Sequence, residues 1–125
     1  MMAIYRRLMT LPFFTTVELT ENGEIAISTG CKYGDDTKLI LYLIQGDNTL
    51  VLTDQGRTRD YMDKVFDLKE KDVIEKIQAV SDYYGISTKN KQLSLEIRSL
   101  DDYTEGIFRM IYCIGFLNTM QIFFK

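Results

Sequence analysis

Few side chains in this sequence are of the kind that does chemistry, and the densest group of them sits in "TLVLTDQGRTRDYMDK". There Thr53, Asp54, Gly56, Arg57, Thr58 and Arg59 lie between an apolar, strand-like run and a helical pattern. A loop that leaves a strand and enters a helix presents unpaired N–H groups and the positive end of a helix dipole. Arg57 and Arg59 would add charge for a phosphate or a carboxylate, so these residues form the candidate binding site. Each also has a structural use. Asp or Thr at a strand end bonds nearby backbone N–H groups, glycine allows positive φ, and threonine caps a following helix. The Gly-x-x-x-x-Gly-Lys-Ser/Thr spacing of a P-loop is absent, and a required corner is the simpler account.

The sequence has no histidine. That removes the Ser-His-Asp and Cys-His nucleophile sets and the common zinc sites. A metal-dependent nuclease would need converging carboxylates with a lysine or similar group. Asp54 together with Glu96 and Arg98 of "LEIR" imitates that set faintly. Arginine, however, cannot act as a base at ordinary pH, and alternating Glu and Arg is also what a solvated strand face looks like. "YGDD", Tyr33 to Asp36, is similar to the metal-binding hairpin of RNA-dependent polymerases, but no second acidic motif accompanies it. The Asp-x-Asp-x-Asp-Gly spacing of a calcium loop is also missing, so an acidic loop is expected. Cys31, beside Lys32, and Cys113, inside an apolar run, are expected to be free thiols, the second a packing residue. Tyr83, Tyr84 and Tyr103 could stack bases or line a partner surface, or simply finish a core. No catalytic residue, metal or cofactor is expected.

The patterning predicts the elements that would position these groups. "MAIYRRLMTL" places Ile4, Leu8 and Leu11 at helical spacing before Pro12. Phe14 to Leu19 and Glu24 to Thr29 read as a hairpin around "ENG", and "GCKYGDD" as a loop. "TKLILYLIQ" and "NTLVLTD" are two strands whose near-continuous apolar character suggests the middle of a sheet, covered on both faces. "TRDYMDKVF" is a short helix with Tyr61, Met62, Val65 and Phe66 as its apolar stripe. In "KEKDVIEKIQAVSDYYGI", Val73, Ile74, Ile77, Ala79, Val80 and Tyr84 cluster on the buried side, and Gly85 closes the helix. "KQLSLEIRS" alternates as a strand with one wet face. Ser99 and Asp102 have capping-box spacing before a long apolar helix from Ile107 to Phe124. The fold class is therefore α+β: an antiparallel sheet of about five strands, a short N-terminal helix, two middle helices and a long C-terminal helix on the sheet.

At 125 residues, residues 1–125 are expected to form a single domain. Arg109, Asn118 and Gln121 interrupt the last helix, so a buried helix is expected rather than a membrane span, with a homodimer contact as the other use of its spare apolar surface. "MMAIYRRLMTLPFF" lacks the apolar core of a secretion signal, and a cytoplasmic protein is expected. The net charge of −3 and pI near 4.9 disfavour nucleic acid, whose binders are usually basic. Such a partner would need Arg6, Arg7, Arg57, Arg59 and Lys64 gathered on one face.

The strand ending in "LTDQGRT", preceded by "LILYLI" and followed by two helices, a strand and a last helix, resembles one uncharacterised family. It is the bacterial and phage family filed as domain of unknown function "eighteen twenty-eight", and the resemblance runs from about Val17 onward. The loop "GCKYGDDTK" departs from the threonine-proline-phenylalanine pattern associated with members. The resemblance implies no catalytic residues. It does imply a gene carried by phages or other mobile elements. The expected function is that of a non-catalytic interaction module that binds a host protein, for example as an inhibitor of a nuclease or defence complex. A nucleic-acid-binding accessory protein and a metal-dependent nuclease-like enzyme are the alternatives.

Overall fold

The computed structural model describes residues 2–9, 16–65, 69–99 and 102–120. Helix α1 (Met2–Met9) is followed by strands β1 (Thr16–Leu19), β2 (Ile25–Lys32), β3 (Lys38–Gln45) and β4 (Leu50–Thr53). Helices α2 (Arg57–Val65) and α3 (Glu70–Tyr84), strand β5 (Ser94–Ile97) and helix α4 (Tyr103–Met120) complete the order. The five strands form one sheet in sequence order, and every neighbouring pair is antiparallel. The expected α+β class and strand sequence are those observed.

One row of side chains crosses the whole sheet. Leu19 pairs with Ile25, Ile25 with Leu43, Leu43 with Leu52, and Leu52 with Leu95. Ile25, Leu43 and Leu52 have no exposed surface. Alternation along a strand sends the odd-numbered β3 residues Leu39, Leu41 and Leu43 into this core and turns Ile40, Tyr42 and Ile44 to the opposite face. The helices supply the other half of the core: Tyr61 and Met62 from α2, Val73, Ile77 and Val80 from α3, and Ile107, Met110, Cys113, Ile114 and Leu117 from α4. Gly106 lets α4 lie close on β5, because a Cβ there would run into Ile97 and Leu95. No described helix is long and apolar enough to cross a membrane.

The structure departs from the sequence expectations at four places. The second face of β3 is only half-buried at Ile40, Tyr42 and Ile44, so continuous apolar sequence did not mean cover on both sides. Strand β2 continues through Gly30, Cys31 and Lys32, with a register shift between Ser28 and Lys32. Thr29 mends the interrupted ladder: its hydroxyl donates to the Leu39 carbonyl (3.0 Å) and accepts from the Cys31 N–H (3.1 Å). On α3, Ile74 and Ala79 are exposed rather than buried, since the buried stripe runs through Val73, Ile77, Val80 and Ser81 and leaves them at its margin and far side. Ser99 forms no capping box with Asp102; its hydroxyl donates to the Asp102 carboxylate (3.3 Å) while the Asp102 N–H bonds the Ser99 carbonyl. Gly85 does close α3, with φ of 70° and its N–H on the Asp82 carbonyl, but Arg109 shares that task. Its Nε and Nη2 donate to the Tyr84 carbonyl at 3.0 and 2.6 Å, placing a cation at the negative end of the helix. Phe66 and the end of the long apolar run, Gln121 to Phe124, lie outside the described residues.

Burial raises the Cys113 thiol from its ordinary 9.0 to about 11, against the lowering effect of Ser81 and with a small push from the charge of Asp54. Burial likewise raises Tyr33 and Tyr103 above the usual phenol value. These groups stay neutral in the fold while their unfolded counterparts ionise. Their contribution is therefore complete below about pH 9 and declines as pH rises towards about 11 and beyond, by about 2 kcal/mol for Cys113 alone. A fall in Tm across that range, with none attributable to these groups between about pH 6 and 8, is the expected result. A thiol reagent should label the exposed Cys31 quickly and Cys113 only after denaturation.

Candidate functional site

The turn after β4 is built around Asp54, which has no exposed surface. Its Oδ1 accepts the N–H groups of Gly56 (2.9 Å) and Leu93 (3.0 Å), and its Oδ2 accepts that of Thr58 (3.1 Å). Register explains the long-range bond. Thr53 faces Ser94, so Asp54 is due to face Leu93, and its own N–H does donate to the Leu93 carbonyl at 3.2 Å. The Asp54 carbonyl instead turns back to the Arg57 N–H, and the carboxylate takes its place in the ladder. One side chain thus ends β4, starts α2 and anchors the entry to β5. Gln55 and Gly56 carry the chain through positive φ values of 57° and 82°.

The neighbouring candidates are committed in the same way. The Thr53 hydroxyl accepts the Gln55 N–H (3.0 Å) and donates to the Gln92 side-chain oxygen (3.3 Å). The Thr58 hydroxyl lies 2.9 Å from the Tyr33 hydroxyl in the core, so the tyrosine of "YGDD" ties that loop to α2. In the same loop, Asp35 is held below the usual carboxylate range by its hydrogen bonds with Thr37. A Cβ added at Gly56 would sit 3.2 Å from the Lys91 carbonyl oxygen and adopt a φ that side chains disfavour. Gly56→Ala should therefore cost about 1–2 kcal/mol in urea unfolding, and no loss would mean that the corner does not hold this residue at positive φ.

Arg57 and Arg59 go separate ways. Arg57 lies over the outward face of the sheet, 5.7 Å from the Tyr42 ring centroid, and its Nη2 donates to the Tyr42 hydroxyl at 3.2 Å. With Lys64 it borders a hollow of about 200 Å³ that also presents Asp35 and Asp60, so charge there is mixed. Arg59 is nearly buried and pairs with Asp63 at 3.2 Å. Arg6 and Arg7 belong to α1, which packs on β1 at the far edge of the sheet from β5. The basic residues are thus not one cluster. Asp54 and Glu96 do not converge either: the carboxylate of the first is filled by backbone N–H groups, and the second is exposed, 3.9 Å from Arg98. Among the described residues no group of three acidic or cysteine side chains is placed to hold a metal.

A surface that the sequence reading touched only through Tyr83, Tyr84 and the spare apolar face of the last helix lies between α3 and α4. Ala79, Val80, Tyr83, Tyr84 and Phe116 line a groove of about 380 Å³. Tyr83 is 83% exposed, Tyr112 60% and Phe116 53%. The buried positions of α4 fall on Tyr103, Ile107, Met110, Ile114 and Leu117, which turns Phe108, Tyr112, Gly115 and Phe116 outward. Phe108 and Tyr112 stack with ring centroids 6.2 Å apart. The signal available beforehand was the absence of any charge in "MIYCIGFLNTM", residues 110–120, on a helix with only one face to bury. No family model matches this chain, and neither a curated protein nor a solved structure matches it.

Proposed function

We propose that this chain is a non-catalytic interaction module that binds another protein through the aromatic groove between α3 and α4. The observation that carries this reading is the exposure of Tyr83 and Phe116 in the groove, with exposed Tyr112 one turn before Phe116 on α4. Exposed apolar patches of this kind mark contact sites, and buried aromatics dominate the energy of protein interfaces. The engagement of Asp54 and Thr58 within the turn supports a module without an active site there. The resemblance carried by "LTDQGRT" supports an origin on a phage or other mobile element, and hence a host nuclease or defence complex in the cytoplasm as the target. An inhibitor of that kind works by occupying a surface and needs no chemistry of its own.

The test is a pull-down of the tagged chain from nuclease-treated lysate, beside the same experiment with a Tyr83→Ser/Phe116→Ser variant. Both positions are exposed, so the variant should melt within a few degrees of the parent. A partner that survives nuclease, co-elutes from gel filtration and is lost with the variant is the expected result. Release by nuclease would point instead to nucleic acid. A partner retained by the variant would remove the groove from the proposal. A doubled mass in sedimentation, abolished by the variant, would make a second copy the occupant.

A further inference from the structure

A second cavity lies on the other flank of α3, behind the turn, with a volume of about 140 Å³. Its walls divide by chemistry. Ile74, Ile77 and Leu93 are apolar, while Arg59, Lys91 and Gln92 carry donors. None of the residues lining it is acidic. The Arg59 guanidinium is fixed by its Nε bond to Asp63 and is only 10% exposed. Lys91 makes no ion pair with any described residue. Gln92 has its side-chain oxygen on the Thr53 hydroxyl, which turns its amide N–H₂ away from that contact.

The backbone that brings Lys91 to this place is strained. Asn90 and Lys91 adopt left-handed φ values of 59° and 60° in succession; asparagine tolerates that region, and Lys91 is the residue held there against its preference. Such strain persists only where surrounding structure fixes it, and it concentrates at ligand sites. Here the fixing contacts are the Gln92 N–H on the Lys89 carbonyl (3.1 Å) and the Lys91 carbonyl against Gly56.

We propose that this cavity binds a small monocarboxylate with a short apolar chain. Lys91 and the Gln92 amide receive the carboxylate beside the Arg59–Asp63 pair, and Ile74, Ile77 and Leu93 cover the chain. A cavity of about 150 Å³ accepts a ring the size of benzene, so a ligand of about six to eight non-hydrogen atoms fits this one. Inorganic phosphate would satisfy the donors and leave the apolar wall unused. A neutral amide would do the reverse. The site is independent of the α3–α4 groove, so either proposal can fail alone.

Isovalerate, isovaleramide and inorganic phosphate are the probes, titrated into the full chain and followed by amide NMR and calorimetry. Isovalerate should bind saturably and move the amides of Arg59, Ile77, Lys91 and Leu93, with the other two at least about tenfold weaker. Lys91→Gln, at an exposed position, should weaken isovalerate about tenfold while leaving the remaining amide spectrum in place. Absence of saturable isovalerate shifts at those amides overturns the proposal. Equal binding of isovaleramide would show that the charge of Lys91 is idle, equal binding of phosphate that the apolar wall is. Either result, or unchanged affinity in Lys91→Gln, rejects the assignment.

Discussion

Asp54→Ala is expected to lower stability by about 4 kcal/mol, because it strands three backbone N–H groups at once. The donors are those of Gly56, Thr58 and Leu93, and the carboxylate that serves them is completely buried. A single domain is stable by only about 5–15 kcal/mol, so this one truncation approaches the whole margin of a weak fold. Asp54→Asn separates the contributions. Its amide oxygen can keep the Gly56 and Leu93 bonds, which share Oδ1, but its N–H₂ would face the Thr58 N–H where Oδ2 now accepts. That variant should lose about 2 kcal/mol and start α2 poorly. Urea unfolding gives the two values, and hydrogen exchange at Leu93 gives the location, since its protection should vanish in the alanine variant. A loss below about 1 kcal/mol in Asp54→Ala would falsify the account of the turn as a ladder-completing corner.

Leu43→Ala should cost about 3–4 kcal/mol, in the range found for leucine truncations in close-packed cores. Leu43 sits in the middle of the row from Leu19 to Leu95 and has no exposed surface, so the space it leaves has little freedom to collapse. Its neighbour provides the control. Ile44→Ala removes a similar side chain from the half-buried outer face and should cost only about 1 kcal/mol. Equal losses at the two positions would mean that both faces of the sheet are packed alike.

The sequence by itself determined the order and type of the elements, and the physical reason is that those signals are local. Alternation in "LSLEI", helical spacing in "DVIEKIQAV", and Gly85 at a left-handed helix end are each written within a few residues. Hairpin connections then fixed which of the first four strands lie side by side. Tertiary structure decided whatever depended on distant residues or on rotational phase. "LILYLI" is apolar throughout, so composition could not say that Leu41 and Leu43 enter the core while Tyr42 faces outward beneath Arg57. Asp54 was legible as a turn residue, but its bond to Leu93 closes across 39 positions of sequence and exists only because β5 pairs with β4. Arg109 read as an interruption of an apolar run, and became the cap of α3 once α4 lay against it. The aromatic groove has the same origin. Two helices can bury only the stripes that face the sheet and each other, and the packing angle chose which aromatic side chains were left in water.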